Sequence, residues 1–241
     1  MSILDRFRLD GRVAIVTGGT KGLGKAMAVG LAQAGAEVAV VSRHDDEAQA
    51  TAAGMKETAG NKCRGYGCDV TKADDVESLV AKILADSGQI DILINNAGIN
   101  IRGAIHELSL DEFEQVQATN VTGPWLMCRA VGEQMMARKY GRIINIGSTL
   151  SIIAMAERTP YAASKGAILQ MTRVLALEWA QHGITVNAML PGPFATEMNE
   201  PFMDDPELYQ ASVAKIPLGR WGELEEIQGL ALFLASDASS F

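Results

Sequence analysis

Val13-Ala-Ile-Val-Thr17 followed by Gly18-Gly19-Thr20-Lys21-Gly22-Leu23-Gly24 decides how the rest of the chain is read. The first five residues are apolar and β-branched, as in a buried strand, and the glycines after them mark a tight turn. An alanine-rich amphipathic segment then runs to about Ala34, stops at Gly35 and gives way to Val38-Ala39-Val40-Val41. Strand, turn, helix and strand within about thirty residues make a βαβ unit. The glycines of Gly18-x3-Gly22-x-Gly24 permit positive φ, close approach of backbone to a pyrophosphate, and packing of the helix on its strand. The helix N-terminus adds free N–H groups and a partial positive charge. Gly-rich turns are common in structural loops. Here the turn directly follows a strand and directly opens a helix, and that context points to a dinucleotide. Gly18, Thr20, Lys21, Gly22, Leu23 and Gly24 are therefore the expected phosphate-side contacts.

The alternation continues along the chain. A polar helix is expected from Asp45 to Ala59, a strand ending near Cys68-Asp69, and a helix over Ala73–Asp86. An apolar strand, Ile90–Ile94, closes on Asn95-Asn96-Ala97-Gly98. Ser109-Leu-Asp-Glu112 has the spacing of a capping box and opens a helix expected to reach about Lys139. Arg142–Ile146 and Thr185–Leu190 read as buried strands either side of a helix that carries Tyr161 and ends before Gly183. Phe194 to Leu218, with Pro201, Pro206 and Pro217, reads as a mobile flap, and Glu223–Ala235 as the last helix. Near-continuous apolar strands alternating with helices predict an α/β fold. It is a doubly wound parallel sheet of the Rossmann kind, three layers α/β/α, in one domain over residues 1–241.

Composition narrows the function. The chain is 48% hydrophobic and 21% charged with a net charge of −8, and no basic run offers a nucleic-acid footprint. Cys63, Cys68 and Cys128 form no CxxC pair and read as buried hydrophobes in a reducing compartment. His44, His106 and His182 are scattered, so no metal is expected. With no apolar leader and no run approaching about 18 apolar residues, neither export nor membrane insertion is expected, and the location expected is cytoplasmic.

The end of the second strand should meet the adenosine ribose. An acid there would accept the 2′-hydroxyl of NAD, whereas an Arg accommodates the 2′-phosphate of NADP. The sequence offers Ser42-Arg43, with no acid before Asp45, and Lys21 as a second cation. NADP(H) is therefore favoured over NAD(H), the alternative being that Arg43 is merely a solvated loop residue. Asp69, with Val70 beside it, is placed to contact adenine.

Tyr161-Ala-Ala-Ser-Lys165 sets a phenol and an ammonium four residues apart, inside an apolar pattern through Ile168, Leu169, Val174 and Leu177. On a helix both side chains share one face. A nearby cation favours the phenolate, which predicts a lowered Tyr161 pKa and a general acid/base. A surface Tyr and Lys at helical spacing would look the same in isolation.

Taken together, the Gly-rich turn, Asn95-Asn96-Ala97-Gly98, Ser148 and Tyr161-Ala-Ala-Ser-Lys165 resemble the classical short-chain dehydrogenases/reductases over almost the whole chain. Ser148 precedes Tyr161 by thirteen residues, the family's separation, and Asn120 matches its helix-bending asparagine. The resemblance implies that Tyr161 exchanges a proton with the substrate oxygen. It implies that Lys165 depresses the Tyr pKa and bonds the nicotinamide ribose. Ser148 would bond the carbonyl oxygen, and Asn120 would hold a water that links Lys165 to solvent. Asn96, Ala97 and Gly98 after the fourth strand, and Pro191, Gly192, Phe194 and Thr196 at the nicotinamide end, complete the implied coenzyme site. A coenzyme-binding sensor without turnover is the non-enzymatic alternative, and retention of all four catalytic residues argues against it.

Family members usually continue beyond Ala-Ser-Asp-Ala-Ser-Ser-Phe241 with a strand containing Val-Asp-Gly-Gly, so an edge strand and part of a subunit interface are expected to be absent. The resemblance implies a homotetramer, or a homodimer, built from the Asp111 and Tyr161 helices. For the substrate, residues 97–102, 192–198 and 216–222 look most like gluconate 5-dehydrogenases, in which Arg102 matches a carboxylate-binding position. Arg102 could equally be a surface salt bridge to Glu107 or Glu157. The other substrates weighed are 3-oxoacyl groups on acyl carrier protein, and glucose or other polyols.

Overall fold

The computed structural model describes residues 2–59, 62–199 and 206–241. The described strands are β1 (Val13–Thr17), β2 (Glu37–Ser42), β3 (Cys63–Gly67), β4 (Ile92–Asn95), β5 (Gly141–Ile146) and β6 (Ile184–Met189). They form one sheet in the order β3-β2-β1-β4-β5-β6, every pair parallel. Parallel neighbours need crossovers, and the helices supplying them cover both faces. The helices are α1 (Gly22–Gln33), α2 (Asp45–Ala59), α3 (Ala73–Ser87), α4 (Leu110–Gln117), α5 (Gly123–Arg138) and α6 (Thr159–Trp179). Two shorter ones, α7 (Pro206–Val213) and α8 (Gln228–Ala235), follow β6.

Because both faces are covered, the central strands need not alternate. Every residue of β1, β4 and β5 is buried. One core lies under α1 and α8 around Val16, Leu31, Val40, Ile94 and Ile144. The other lies under α3 and α5 around Ile15, Ile83, Leu93, Met127 and Ile143. Each such side chain contributes about 1.5–3 kcal/mol by leaving water, before the entropy of ordering it.

The capping box forms as expected, with Ser109 Oγ accepting from Glu112 N–H at 3.2 Å and Glu112 Oε2 accepting from Ser109 N–H at 2.8 Å. The helix it opens is not continuous. A π turn over Ala118–Thr122 separates α4 from α5, with Asn120 at its centre. Two features of the sequence force this. Pro124 has no N–H to give the Asn120 carbonyl four residues back, so the α-helical bond there cannot form. The Asn120 side chain is also drawn inward, its Oδ1 accepting from Ile99 N–H at 2.8 Å and its Nδ2 donating to Ile99 O at 2.9 Å.

The C-terminal region also differs from expectation. The last helix begins as a 3₁₀ turn, Leu224–Ile227, before α8. Within the expected flap, residues 200–205, Pro201 among them, lie outside the described residues, and the part beyond them forms α7, which is tied to Trp221. Just beyond it, Trp221 is buried, donates to Ser212 Oγ at 2.8 Å and packs on Tyr209. Phe194 bridges to Gly222.

Candidate active site

The crevice opens where the carboxyl ends of β1 and β4 lie side by side, the switch point of the sheet. Gly18 sits there at φ +61, a left-handed conformation. Gly24 is packed so closely on the turn that an added Cβ would lie 2.1 Å from Gly18 O and 2.4 Å from Asn96 Nδ2. No other residue fits. The cradle is held from β4: Asn96 Nδ2 donates to Thr17 O and Gly18 O, each at 3.0 Å. Thr17 Oγ1 accepts from Asn96 N–H at 3.0 Å and Ala97 N–H at 3.1 Å. Asn96, expected as a coenzyme contact, therefore has both amide donors committed to shaping the turn. Thr17 was not singled out from the sequence, where nothing distinguishes it from any other strand-end threonine.

At the adenosine end, Arg43 is exposed at the tip of β2, and the Asp69 carboxyl is held low by hydrogen bonds from Thr71 and then by the charges of Lys72 and Arg43, against the opposing effect of burial. The largest of these influences is the Thr71 hydroxyl, which donates to Asp69 Oδ1 at 2.7 Å. Val70 is buried against Gly123 of α5. Two placements were not foreseen. Lys21, expected to be a second phosphate-binding cation, lies 3.3 Å from Glu197 Oε2 on the segment after β6. Glu47 Oε2 reaches Ser42 Oγ at 3.5 Å, bringing a carboxylate to the end of β2 that the expected acid position lacked.

The four expected catalytic residues come together at the ends of β4, β5 and α6. Lys165 is buried and donates to Ile146 O at 2.7 Å, its Nζ 5.5 Å from the centre of the Tyr161 ring. Burial lowers its pKa to about 8. Asn120 Nδ2 also donates to Ser164 Oγ at 3.0 Å, and Ser164 in turn donates to Tyr161 O at 2.7 Å. Ser148 Oγ caps a short turn by accepting from Leu150 N–H at 3.1 Å. Pro191 O accepts from Thr149 N–H, and Thr196 lies over Gly22, so residues 191–196 arch across the crevice.

One expectation is corrected. Tyr161 was expected to have a lowered pKa from Lys165; burial instead raises it, and the Ser148 hydroxyl and the Arg102 charge are what pull it back down. The ammonium is turned toward the Ile146 carbonyl. Arg102 itself has its pKa lowered, first by burial and next by Arg158, while Tyr161 opposes. Arg158 is 8% exposed and was not singled out from the sequence. It shows only the pattern of a polar residue before a Pro-containing helix start.

Known proteins resemble this chain over nearly its whole length. A family model described as enoyl-(acyl carrier protein) reductase covers residues 18–241. A gluconate 5-dehydrogenase of Gluconobacter oxydans is 42% identical over 100% of this chain and 94% of that protein. The chain belongs to the short-chain dehydrogenase/reductase family. It is an oxidoreductase of the dehydrogenase type. Another family member, a 2-dehydro-3-deoxy-D-gluconate 5-dehydrogenase of Pseudoalteromonas atlantica, is 38% identical over 99% of this chain and 94% of that protein. Among solved family structures, a gluconate 5-dehydrogenase of Burkholderia cenocepacia in complex with NADP and tartrate superposes with a TM-score of 0.96 at 38% identity. That match covers 100% of this chain and 94% of the other. Among the described residues, no group of three His, Cys, Asp or Glu side chains is placed to hold a metal, and no helix is long and apolar enough to cross a membrane.

Proposed function

We propose that this dehydrogenase interconverts a sugar acid and its keto acid, gluconate and 5-ketogluconate, with NADP(H) preferred over NAD(H). The observation that carries the substrate class is Arg102, whose charge is felt at the Tyr161 phenol. A guanidinium there suits a carboxylate that it can grip with two parallel hydrogen bonds while the distal hydroxyl faces Tyr161. Relatives that act on gluconate and its dehydrated derivatives support the same class. The fit of a dinucleotide is supported by the cradle at Gly18 and Gly24, which a side chain would fill. Arg43, exposed at the end of β2, supports the preference for a 2′-phosphate.

When bound, the coenzyme takes up or gives the hydride. Tyr161 accepts the substrate hydroxyl proton in oxidation and returns it in reduction. Ser148 donates to the substrate oxygen and stabilises its developing charge. Lys165 passes the proton on and holds the nicotinamide ribose. Asn120 has no amide donor left for a water. Its main-chain carbonyl, denied an α-helical partner by Pro124, takes that role. The assembly is a homotetramer or homodimer in the cytoplasm, pairing helix faces on which Trp125 and Leu177 are 51% and 83% exposed. Exposed Ile152, Ile153 and Met155 beside the cleft support a second reading, an acyl substrate on a carrier protein.

Oxidation of NADPH and NADH, followed by absorbance with 5-ketogluconate and with an acetoacetyl thioester, tests the proposal. NADPH oxidation by the ketogluconate is expected; reaction with the thioester alone refutes the sugar-acid reading. Tyr161→Phe is expected to lose roughly 10²–10⁴-fold in turnover with coenzyme affinity unchanged.

A further inference from the structure

We infer that Arg158 is a second specificity-determining cation of the substrate cleft, forming with Arg102 a two-guanidinium seat for the carboxylate of a small acid. This rests on the sugar-acid reading above and names the residues that would enforce it. Arg158 is 8% exposed, and its Nη1 donates to Glu157 O at 2.9 Å. Among the described residues it makes no ion pair and no other hydrogen bond. A guanidinium carries five donors in a fixed fork. None of its nitrogens is sealed from solvent without a partner, so the unused donors open onto space that an anion can enter.

The backbone is arranged to hold the two arginines together. Glu157 adopts φ +60, the left-handed region that a residue with a Cβ rarely occupies. Its carbonyl accepts from Arg158 and also from Gly103 N–H at 3.2 Å. One carbonyl thus ties the loop after β4, which carries Arg102, to the loop that leads through Arg158 into α6, whose first turn carries Tyr161. The shared Glu157 carbonyl brings the Arg158 guanidinium beside the backbone that carries Arg102, and the Arg102 pKa is lowered first by burial and next by the Arg158 charge. Repulsion of this kind is relieved when an anion sits between the pair. A neutral polyol gains nothing from the seat. With only 8% of its surface exposed, Arg158 suits a small molecule rather than an acidic protein surface.

Isothermal titration of the NADP⁺-loaded protein with tartrate, a small hydroxy-dicarboxylate, tests the inference. Arg158→Met is expected to weaken tartrate binding about tenfold or more, with Arg158→Lys between it and wild type. NADP⁺ affinity should be the same in all three, which shows that the variants are folded. Tartrate bound equally by Arg158→Met and wild type, or not bound by wild type at all, overturns the seat. Gluconate turnover by the wild type is scored separately: its absence beside Arg158-dependent tartrate binding removes the substrate named above and leaves the seat standing.

Discussion

Replacing Lys165 by Met should change the pH dependence of stability, and its size follows from the buried ammonium. The fall from the ordinary 10.5 to about 8 is caused by burial alone. At 1.36 kcal/mol per pH unit it corresponds to roughly 3 kcal/mol. Below about pH 8, Lys165 is protonated in both folded and unfolded chains, and the whole cost of burying the charge is present. Between about 8 and 10.5 the unfolded chain still binds the proton and the folded one does not, so stability rises with pH. Above 10.5 the penalty is gone. Other groups act in the opposite sense over the same range: the buried Cys68 and Cys128 thiols are both pushed up to about 12, and Tyr161 is raised as well. The wild-type curve alone therefore mixes both effects, and the difference between wild type and Lys165→Met isolates the lysine. Met keeps the apolar stem, and the loss of the bond to Ile146 O is an offset independent of pH. Urea unfolding of the coenzyme-free protein at intervals from pH 7 to 10.5 should show wild type gaining about 3 kcal/mol on the variant. Parallel curves would refute the claim that this site penalises the charged amine. They would also remove the basis for treating Lys165 as a group that can give up its proton near neutral pH.

Two other substitutions probe the coenzyme side. Gly24→Ala puts a methyl 2.1 Å from Gly18 O, so the turn must open; NADP⁺ binding by titration should be lost, and stability should fall by about 1–3 kcal/mol. Retention of wild-type affinity would show that the cradle is not the phosphate site. Arg43→Ala should raise the KM for NADPH about tenfold or more while leaving that for NADH unchanged, as expected for one charged hydrogen bond to a 2′-phosphate. Equal effects on both coenzymes would instead assign Arg43 to a part of the molecule they share.

Much of the site was readable because its signals are local. The capping box at Ser109 needs only residues three apart to find each other. The Gly-rich turn declares itself through φ and size, as the left-handed Gly18 and the crowded Gly24 confirm. The π turn was half readable: Pro124 four residues after Asn120 is a local fact, whereas the pull from Ile99 is a contact across 21 residues. The helix α7 inside the expected flap was not readable for the complementary reason. The prolines of the segment read as loop, but over Pro206–Val213 the buried Trp221 meets Ser212 and Tyr209, and that packing supports a helix there.

The chain order of short motifs determined the family and the parallel sheet, and it marked Asn120, Ser148, Tyr161 and Lys165 as the candidates, because strand period, turn chemistry and helical spacing act over a few residues. Electrostatics at the site were decided by the folded chain. Whether Lys165 lowers the tyrosine pKa depends on where its Nζ points, and it points to Ile146 O. Whether Arg158 is a solvated cap or a buried cation depends on the Glu157 carbonyl, which joins two loops some fifty residues apart in sequence. Charge–charge coupling and desolvation depend on through-space distance and on what excludes water, and neither can be read from sequence separation.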